Sequence, residues 1–540
     1  MNSKVLKISM LAVSIVLVVT VILVSGGAAS SSAMEKGSKS GNDGWSALEK
    51  VPRFLQEAEK AGFSYQEGMF SFLDLIKSTC EIPGYFSAMG NNPWPNAYFS
   101  LQMPNPADAN YPPPYGQLWQ MEQDQAIVII GQTPPEVRYF SIQSWVQAGP
   151  VLGIPDPAHP SANRKLIGSA FGDTTNNLTI HTVGPDPFNR PIVYIVVANR
   201  TTEQRVRDIV RRAGYPAEII NVETISTIIA PLGIGPSGSF LVTAQRNAVP
   251  ADPEGAWKDY IQASMVDDPN QPHTPYRAFR LTPQVEIPEN PYPAPKLRVR
   301  GTGQTEMDLY PALKRLRQAI LDKEAQRAPA LPVKELGGRL WQDPMKNGQL
   351  ELLDDPWSGL QNGIYSYLGS RDTNYIQTYP YFKLRDTVDE YIIVYGVNHQ
   401  KTGKATYANF SVYVEPTFGT GREIGLGSVA DPNYAGSAEV YLGPDDPDAD
   451  MLYAFKIARH CPAGDPYCLQ VGPPSDMNGV PYNNNCTPQI SLEMDPGAPG
   501  WKSDVFVVFR AYMEPATAVS PDINELVWDR AIYFGPYFTP

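Results

Sequence analysis

A mainly β protein of the α+β type is what this sequence predicts, and three observations carry the prediction. Of 540 residues, 53 are proline, which helix interiors and central strands both exclude, so turns and sheet edges must be frequent. Tyrosine is abundant, 29 residues against 9 tryptophans, and it favours pleated, half-buried surfaces. Runs of β-branched and aromatic residues recur between Pro and Gly along most of the chain. A hydrophobic share of 42% with 18% charged residues fits packed domains rather than disorder. The length suits two to four domains.

The N-terminus reads as a membrane segment. Lys4 and Lys7 precede an apolar run from Ile8 to Val24, and small residues follow from Gly26 to Ser32. That is a basic start, a hydrophobic stretch and a small-residue exit. The stretch exceeds the usual cleaved signal and approaches the span of a bilayer. Residues 1–34 are therefore expected to be a signal anchor, or a signal peptide cut near Ala29. The flanking lysines put the body outside the cytoplasm, anchored to the membrane or secreted if cut.

Residues 35–90 read as a flexible stalk and a helical neck. Pro52–Ala61 has proline near a first turn and Gly62 beyond its end, and Glu67–Thr79 is read as a second helix. A first β-rich domain over 91–300 and a second over 336–540 are expected, each β-sandwich-like, with a connecting helix within 301–335. Leu309, Leu313, Leu316 and Ile320 fall on one face of that helix. The first domain carries an inserted β-α-β unit. In it, Ile192–Ala198 is a buried strand, Glu203–Ala213 a helix closed by Gly214, and Glu218–Thr224 the next strand.

The halves echo one another. Ile127-Val-Ile-Ile-Gly131 leads to Arg138-Tyr-Phe-Ser-Ile-Gln143, and Ile392-Ile-Val-Tyr-Gly396 leads to Tyr407-Ala-Asn-Phe-Ser-Val412. Each pair is read as a hairpin of one duplicated unit. Tyr413-Val-Glu-Pro416 and Tyr512-Met-Glu-Pro515 echo as well.

Four cysteines, Cys80, Cys461, Cys468 and Cys486, follow the membrane segment, and an even count there suits disulfides. The favoured pairing is Cys461–Cys468 with Cys80–Cys486. A zinc site from His460, Cys461, Cys468 and Cys486 is the alternative, though its spacing lacks a paired knuckle. Asn177, Asn199, Asn409 and Asn485 stand in glycosylation sequons. Asp446, Asp448 and Asp450 alternate in an acidic loop that could converge on calcium, although Pro447 and the absent glycine break the EF-hand pattern. No other metal or cofactor is expected.

Catalytic motifs fail on inspection. Gly233, Gly235 and Gly238 match G-x-G-x-x-G, but a strand, not a helix, follows. Ser237 lacks the second glycine of a nucleophile elbow. His399 ends a strand at a loop, where functional residues concentrate. Glu415 and Glu514, in the echoed Tyr-x-Glu-Pro motif, are the carboxylates that could be paired. Trp94, Trp357 and Trp501 lie in Pro/Gly-rich loops where rings can stack on sugars. The net charge of −13 argues against nucleic acid. The functional expectation is a membrane-tethered binding or scaffold protein, with envelope glycan or protein as partner. An extracytoplasmic hydrolase of carbohydrate is the alternative.

Overall fold

The computed structural model describes residues 46–73, 97–104, 115–116, 118–149, 154–155, 165–227, 230–235, 237–264, 275–327, 331–343, 351–353, 366, 368–384, 390–415, 424–472, 494–495, 498–501 and 504–535. The protein is mainly β, with two large mixed sheets, one a half-barrel and one a nearly closed barrel, and a few helices.

The first sheet holds β1 (Phe63–Leu73), β2 (Ala97–Pro104), β3 (Tyr115–Gly116), β4 (Ala126–Gln132), β5 (Val137–Gly149) and β6 (Ile154–Pro155). It continues with β7 (Lys165–Ala170), β8 (Thr175–Asn176), β9 (Pro191–Val197), β10 (Ile220–Thr224), β11 (Phe240–Pro250) and β12 (Tyr276–Pro283). The second holds β13 (Val333–Asp343), β14 (Glu351–Leu353), β15 (Thr373–Tyr379), β16 (Tyr391–Val397), β17 (Tyr407–Glu415) and β18 (Ile424–Ala430). To these it adds β19 (Leu452–Ala458), β20 (Cys468–Gln470), β23 (Asp504–Tyr512) and β24 (Arg530–Phe534); β21 (Met494–Asp495) and β22 (Ala498–Trp501) pair separately.

The strand orders reveal a tandem repeat. The first sheet runs β10-β9-β4-β12-β1-β2-β11-β5-β7, and the second runs β20-β19-β16-β24-β13-β15-β23-β17-β18. Each strand of one has a counterpart of the same chain rank in the other. Even the parallel outer pair recurs, β9 with β10 and β19 with β20. The register agrees by two routes. Matching Gly131 with Gly396 places Ile130↔Arg277 and Glu67↔Phe279 on Tyr395↔Arg530 and Glu335↔Ile532. Matching Arg246 with Arg510 places Tyr98 on Tyr375 and Phe72 on Leu340. Both routes put Gly68 on Leu336. The echo in the sequence thus marks two copies of one fold, but not hairpins: β4 and β5 lie five places apart in the sheet, as do β16 and β17. The Tyr-x-Glu-Pro echo joins neighbouring strands of the second copy.

A short helix α1 (Ser46–Glu49) and α2 (Val51–Lys60) lead into the first sheet. Val51, Phe54 and Ala58 of α2 are buried, and proline sits in its first turn. The expected helix over Glu67–Thr79 is instead β1 as far as Leu73, and the rest of it lies outside the described residues. Between β12 and β2 this segment completes two ladders, and that pairing overrides local propensity. The inserted β-α-β unit is present. Asn199 caps α3 (Arg200–Arg212), accepting from the Thr201 and Thr202 N–H groups at 2.8 and 3.2 Å. Val206, Ile209 and Val210 of α3 join the core over β4 and β9. Helix α4 (Ala256–Ser264) buries Trp257, Tyr260 and Ile261 on the opposite face. Helix α5 (Tyr310–Ala325) buries Leu313, Leu316 and Ile320 against Ile393 and Ile532 of the second sheet. Each half is one sheet curled on itself, where the sequence suggested sandwiches of two.

Residues 42–540 cluster as one unit, and a polar seam joins the copies. Trp145 Nε1 donates to Gly369 O at 2.8 Å, Arg246 Nη1 to Ser370 Oγ at 2.8 Å, and Thr174 Oγ1 to Asp372 at 2.8 Å. The Tyr139 hydroxyl also donates to Asp372, and Arg138 pairs with Asp431.

Candidate functional site

On the second copy, β13 pairs with β24 only as far as Leu336 and with β15 from Gly337 onward. Because β24 begins at Arg530, the loop before it must cross the place where β13 parts company. Two glycines admit that loop. A Cβ on Gly338 would meet Asp529 O at 2.9 Å, and one on Gly396 would strike the Asp529 carboxylate. A cleft of about 550 Å³ opens there, within the range of small-molecule sites.

The cleft has aromatic and charged walls. Tyr310 comes from the start of α5, Tyr395 from β16, and Trp528 and Arg530 from the β24 entry. Glu335 of β13 faces the same space. Trp528 is half-buried, its ring oriented by an Nε1–H bond to Ile523 O at 3.0 Å. Arg530 lies over the Tyr310 ring, 5.5 Å from its centroid.

A buried charge clamp holds the two walls. His399 Nδ1 bonds Glu306 Oε1 at 2.9 Å, and its Nε2 reaches Asp529 Oδ2 at 3.3 Å. Glu306 precedes Met307 of one wall; Asp529 separates Trp528 from Arg530 in the other. Burial alone pulls the imidazole towards neutrality, but Glu306 and Asp529 outweigh it and lift its pKa to about 10. Burial pushes Glu306 up, and His399, the Thr402 hydroxyl at 2.6 Å and the Val527 N–H at 2.9 Å together hold it below its ordinary value. The Tyr453 hydroxyl completes the clamp at Asp529, 2.6 Å away. Next to it, Lys404 joins Glu514 at 2.8 Å and Glu525 at 2.5 Å, while Glu525 accepts the Gly303 and Thr302 N–H groups.

His399 is therefore a positioning group behind the cleft, and Glu514 belongs to the same buried network. The side chain of Glu415 lies outside the described residues, as do that of Trp501 and the whole of Trp94, Trp357, Cys80, Cys486 and Asn485. Cys461 and Cys468 form a disulfide, so their sulfurs are not thiolates for zinc. Asp446 and Asp448 both turn onto Arg315, at 3.3 and 2.7 Å, and Asp450 reaches Lys401 at 2.8 Å. Among the described residues no three acidic, His or Cys side chains cluster as a metal site. Asn199 and Asn409 are buried, and their amide nitrogens, where a glycan would attach, donate to Pro288 O at 2.9 Å and to the Tyr407 hydroxyl at 2.7 Å. Asn177 is half-exposed. The glycine loop ends in a turn that feeds β11, not a helix. No described helix is long and apolar enough to cross a membrane, and residues 1–45 lie outside the described set.

Glu335, Arg530, Tyr310 and Trp528 escaped the reading of the sequence, because they sit on separate elements that only the fold assembles. The one local signal was Gly337-Gly338 inside a strand, a mark of close backbone approach.

No protein-family model matches this chain, and no curated protein matches it. A crystal structure of an uncharacterised protein from Burkholderia cenocepacia is similar over 90% of this chain and 88% of its own, at 11% identity and a TM-score of 0.30. That similarity is too slight to bear on fold or function.

Proposed function

We propose that the protein is an extracytoplasmic saccharide-binding protein, tethered or exported by its N-terminal segment, with the Tyr310–Trp528 cleft as its binding site. The observation that carries this reading is the cleft's wall chemistry. Aromatic rings offer apolar faces to the C–H side of a sugar ring, while Glu335 and Arg530 supply an acceptor and donors for its hydroxyls. The clamp at His399 ties the segment ahead of Tyr310 to the one carrying Trp528 and Arg530 before ligand arrives, which lowers the ordering cost of binding. Envelope glycan is the natural ligand for a body outside the membrane.

The hydrolase alternative finds less support. Glycoside hydrolysis requires two carboxyl groups flanking the bond, and among the described residues that line the cleft Glu335 is the one carboxylate. Incubation with end-labelled oligosaccharides separates the two. Retention of intact sugar by the protein supports binding, whereas shortened products establish a hydrolase.

A further inference from the structure

The first copy carries a second, smaller cavity of about 210 Å³, far in register from the counterpart of the cleft. Asp173, Thr175, Glu223, Thr224, Lys296 and Arg298 contribute to its lining. It forms where the curled sheet brings its outer strand β10 across to β5. There Glu223 Oε1 accepts the Ser144 N–H at 2.7 Å, and Oε2 accepts the Ser144 hydroxyl at 2.6 Å. That hydroxyl also meets Thr243 Oγ1 at 2.8 Å.

The charges in the pocket do not balance. Asp173 is already engaged, by Arg371 Nε at 2.8 Å and by the Arg298 N–H at 2.7 Å. The Arg298 guanidinium stands off at 4.0 Å, and Lys296 is exposed at the rim. Facing Glu223 are Ser144 of β5, Tyr194 of β9 and Thr175 of β8, with Asp173, Lys296 and Arg298 across the cavity. Burial lifts the Glu223 carboxyl to about 7, against the opposing bonds from Ser144 and Tyr194. Once a proton neutralises Glu223, two cations face a cavity whose other carboxylate is spoken for by Arg371. The register places Leu469 where Glu223 stands in the first copy, so the arrangement is not a consequence of the repeat.

We propose that this pocket binds a small carboxylate, paired with Lys296 and Arg298 and accepting a hydrogen bond from the Glu223 carboxyl. A monosaccharide acid or a short organic acid has the required chemistry. Ionised Glu223 repels such a ligand, so affinity falls as the pH rises through the titration of this group.

Calorimetric titration of the full chain with D-glucuronate, at about pH 5.5 and about pH 8.5, tests the assignment; the ligand stays ionised at both. Glucose serves as the neutral control. Saturable binding at least tenfold tighter at the lower pH is expected for glucuronate, and none for glucose at this site. Glu223→Gln, neutral at both pH values, is expected to bind equally at each. Lys296→Ala with Arg298→Ala, both at the surface, is expected to lose at least tenfold without moving the melting temperature. Absence of saturable binding at the lower pH, a pH dependence that persists in Glu223→Gln, or undiminished affinity in the double variant would each overturn the proposal.

Discussion

Glu335 and Arg530 line one cleft without bonding to each other, although their register counterparts in the first copy form a bidentate ion pair. There Arg277 donates to Glu67 through Nε and Nη2, each at 2.7 Å. In the second copy Glu335 pairs with Arg317 and Arg530 lies over Tyr310. The same two strands thus carry a closed pair in one repeat and an open site in the other.

That contrast predicts opposite consequences for the two arginines. Arg277 and Glu67 are each 31% exposed, so Arg277→Ala should cost about 1 kcal/mol of stability, the upper range for a solvent-screened pair. Arg530→Ala should leave stability within about 0.5 kcal/mol and weaken sugar binding instead. Urea midpoints of the two variants check the stabilities, and calorimetric titration of Arg530→Ala with the retained oligosaccharide checks the binding.

The His399 clamp predicts a pH dependence of stability with a definite sign. Its pKa rises from 6.5 to about 10 on folding, so its contribution is complete below pH 6.5 and is lost as the pH climbs through about 10. Glu306 is held below its ordinary 4.5, so its contribution is present above that value and is lost on further acidification. Melting temperatures across the alkaline range should fall for the wild type. In His399→Ala that alkaline fall should be blunted. The substitution leaves two buried carboxylates without their cation and should cost about 3–5 kcal/mol.

The acidic loop offers a prediction about calcium. Asp446 and Asp448 share Arg315, and Asp450 is taken by Lys401. A chelator should therefore leave the melting temperature unchanged, while Arg315→Ala should lower it only slightly, because exposed ion pairs are screened by solvent. A fall of several degrees on chelation would mean that the carboxylates rearrange around a cation.

How much of this was legible in the sequence depended on how local the determinants are. The β9-α3-β10 unit was readable because its signals are adjacent: apolar runs, the terminating Gly214 and Pro216 beyond it. The expected start at Glu203 falls three residues late, because the helix begins at Arg200 behind the Asn199 cap. Strand β1 was misread as helix because its identity comes from partners far along the chain, Pro283 to Ala278 on one side and Gln102 to Tyr98 on the other. The repeat showed as a faint echo, since strand order and register persist where side chains have diverged. His399 drew attention for its place at a strand end, yet its role rests on Glu306 and Asp529, which no spacing rule connects to it. The cleft itself was invisible, because Tyr310, Glu335, Trp528 and Arg530 meet only when β13 splits between two neighbours.

Binding of saccharide in that cleft is most directly tested by calorimetric titration of the full chain and of Trp528→Ala with the oligosaccharide that the labelled panel retains. Saturable binding by the wild type, weakened at least tenfold (about 1.4 kcal/mol) in a variant that melts normally, is the predicted result. Equal affinity in the two proteins, or no binding by the wild type to any oligosaccharide of the panel, would contradict it.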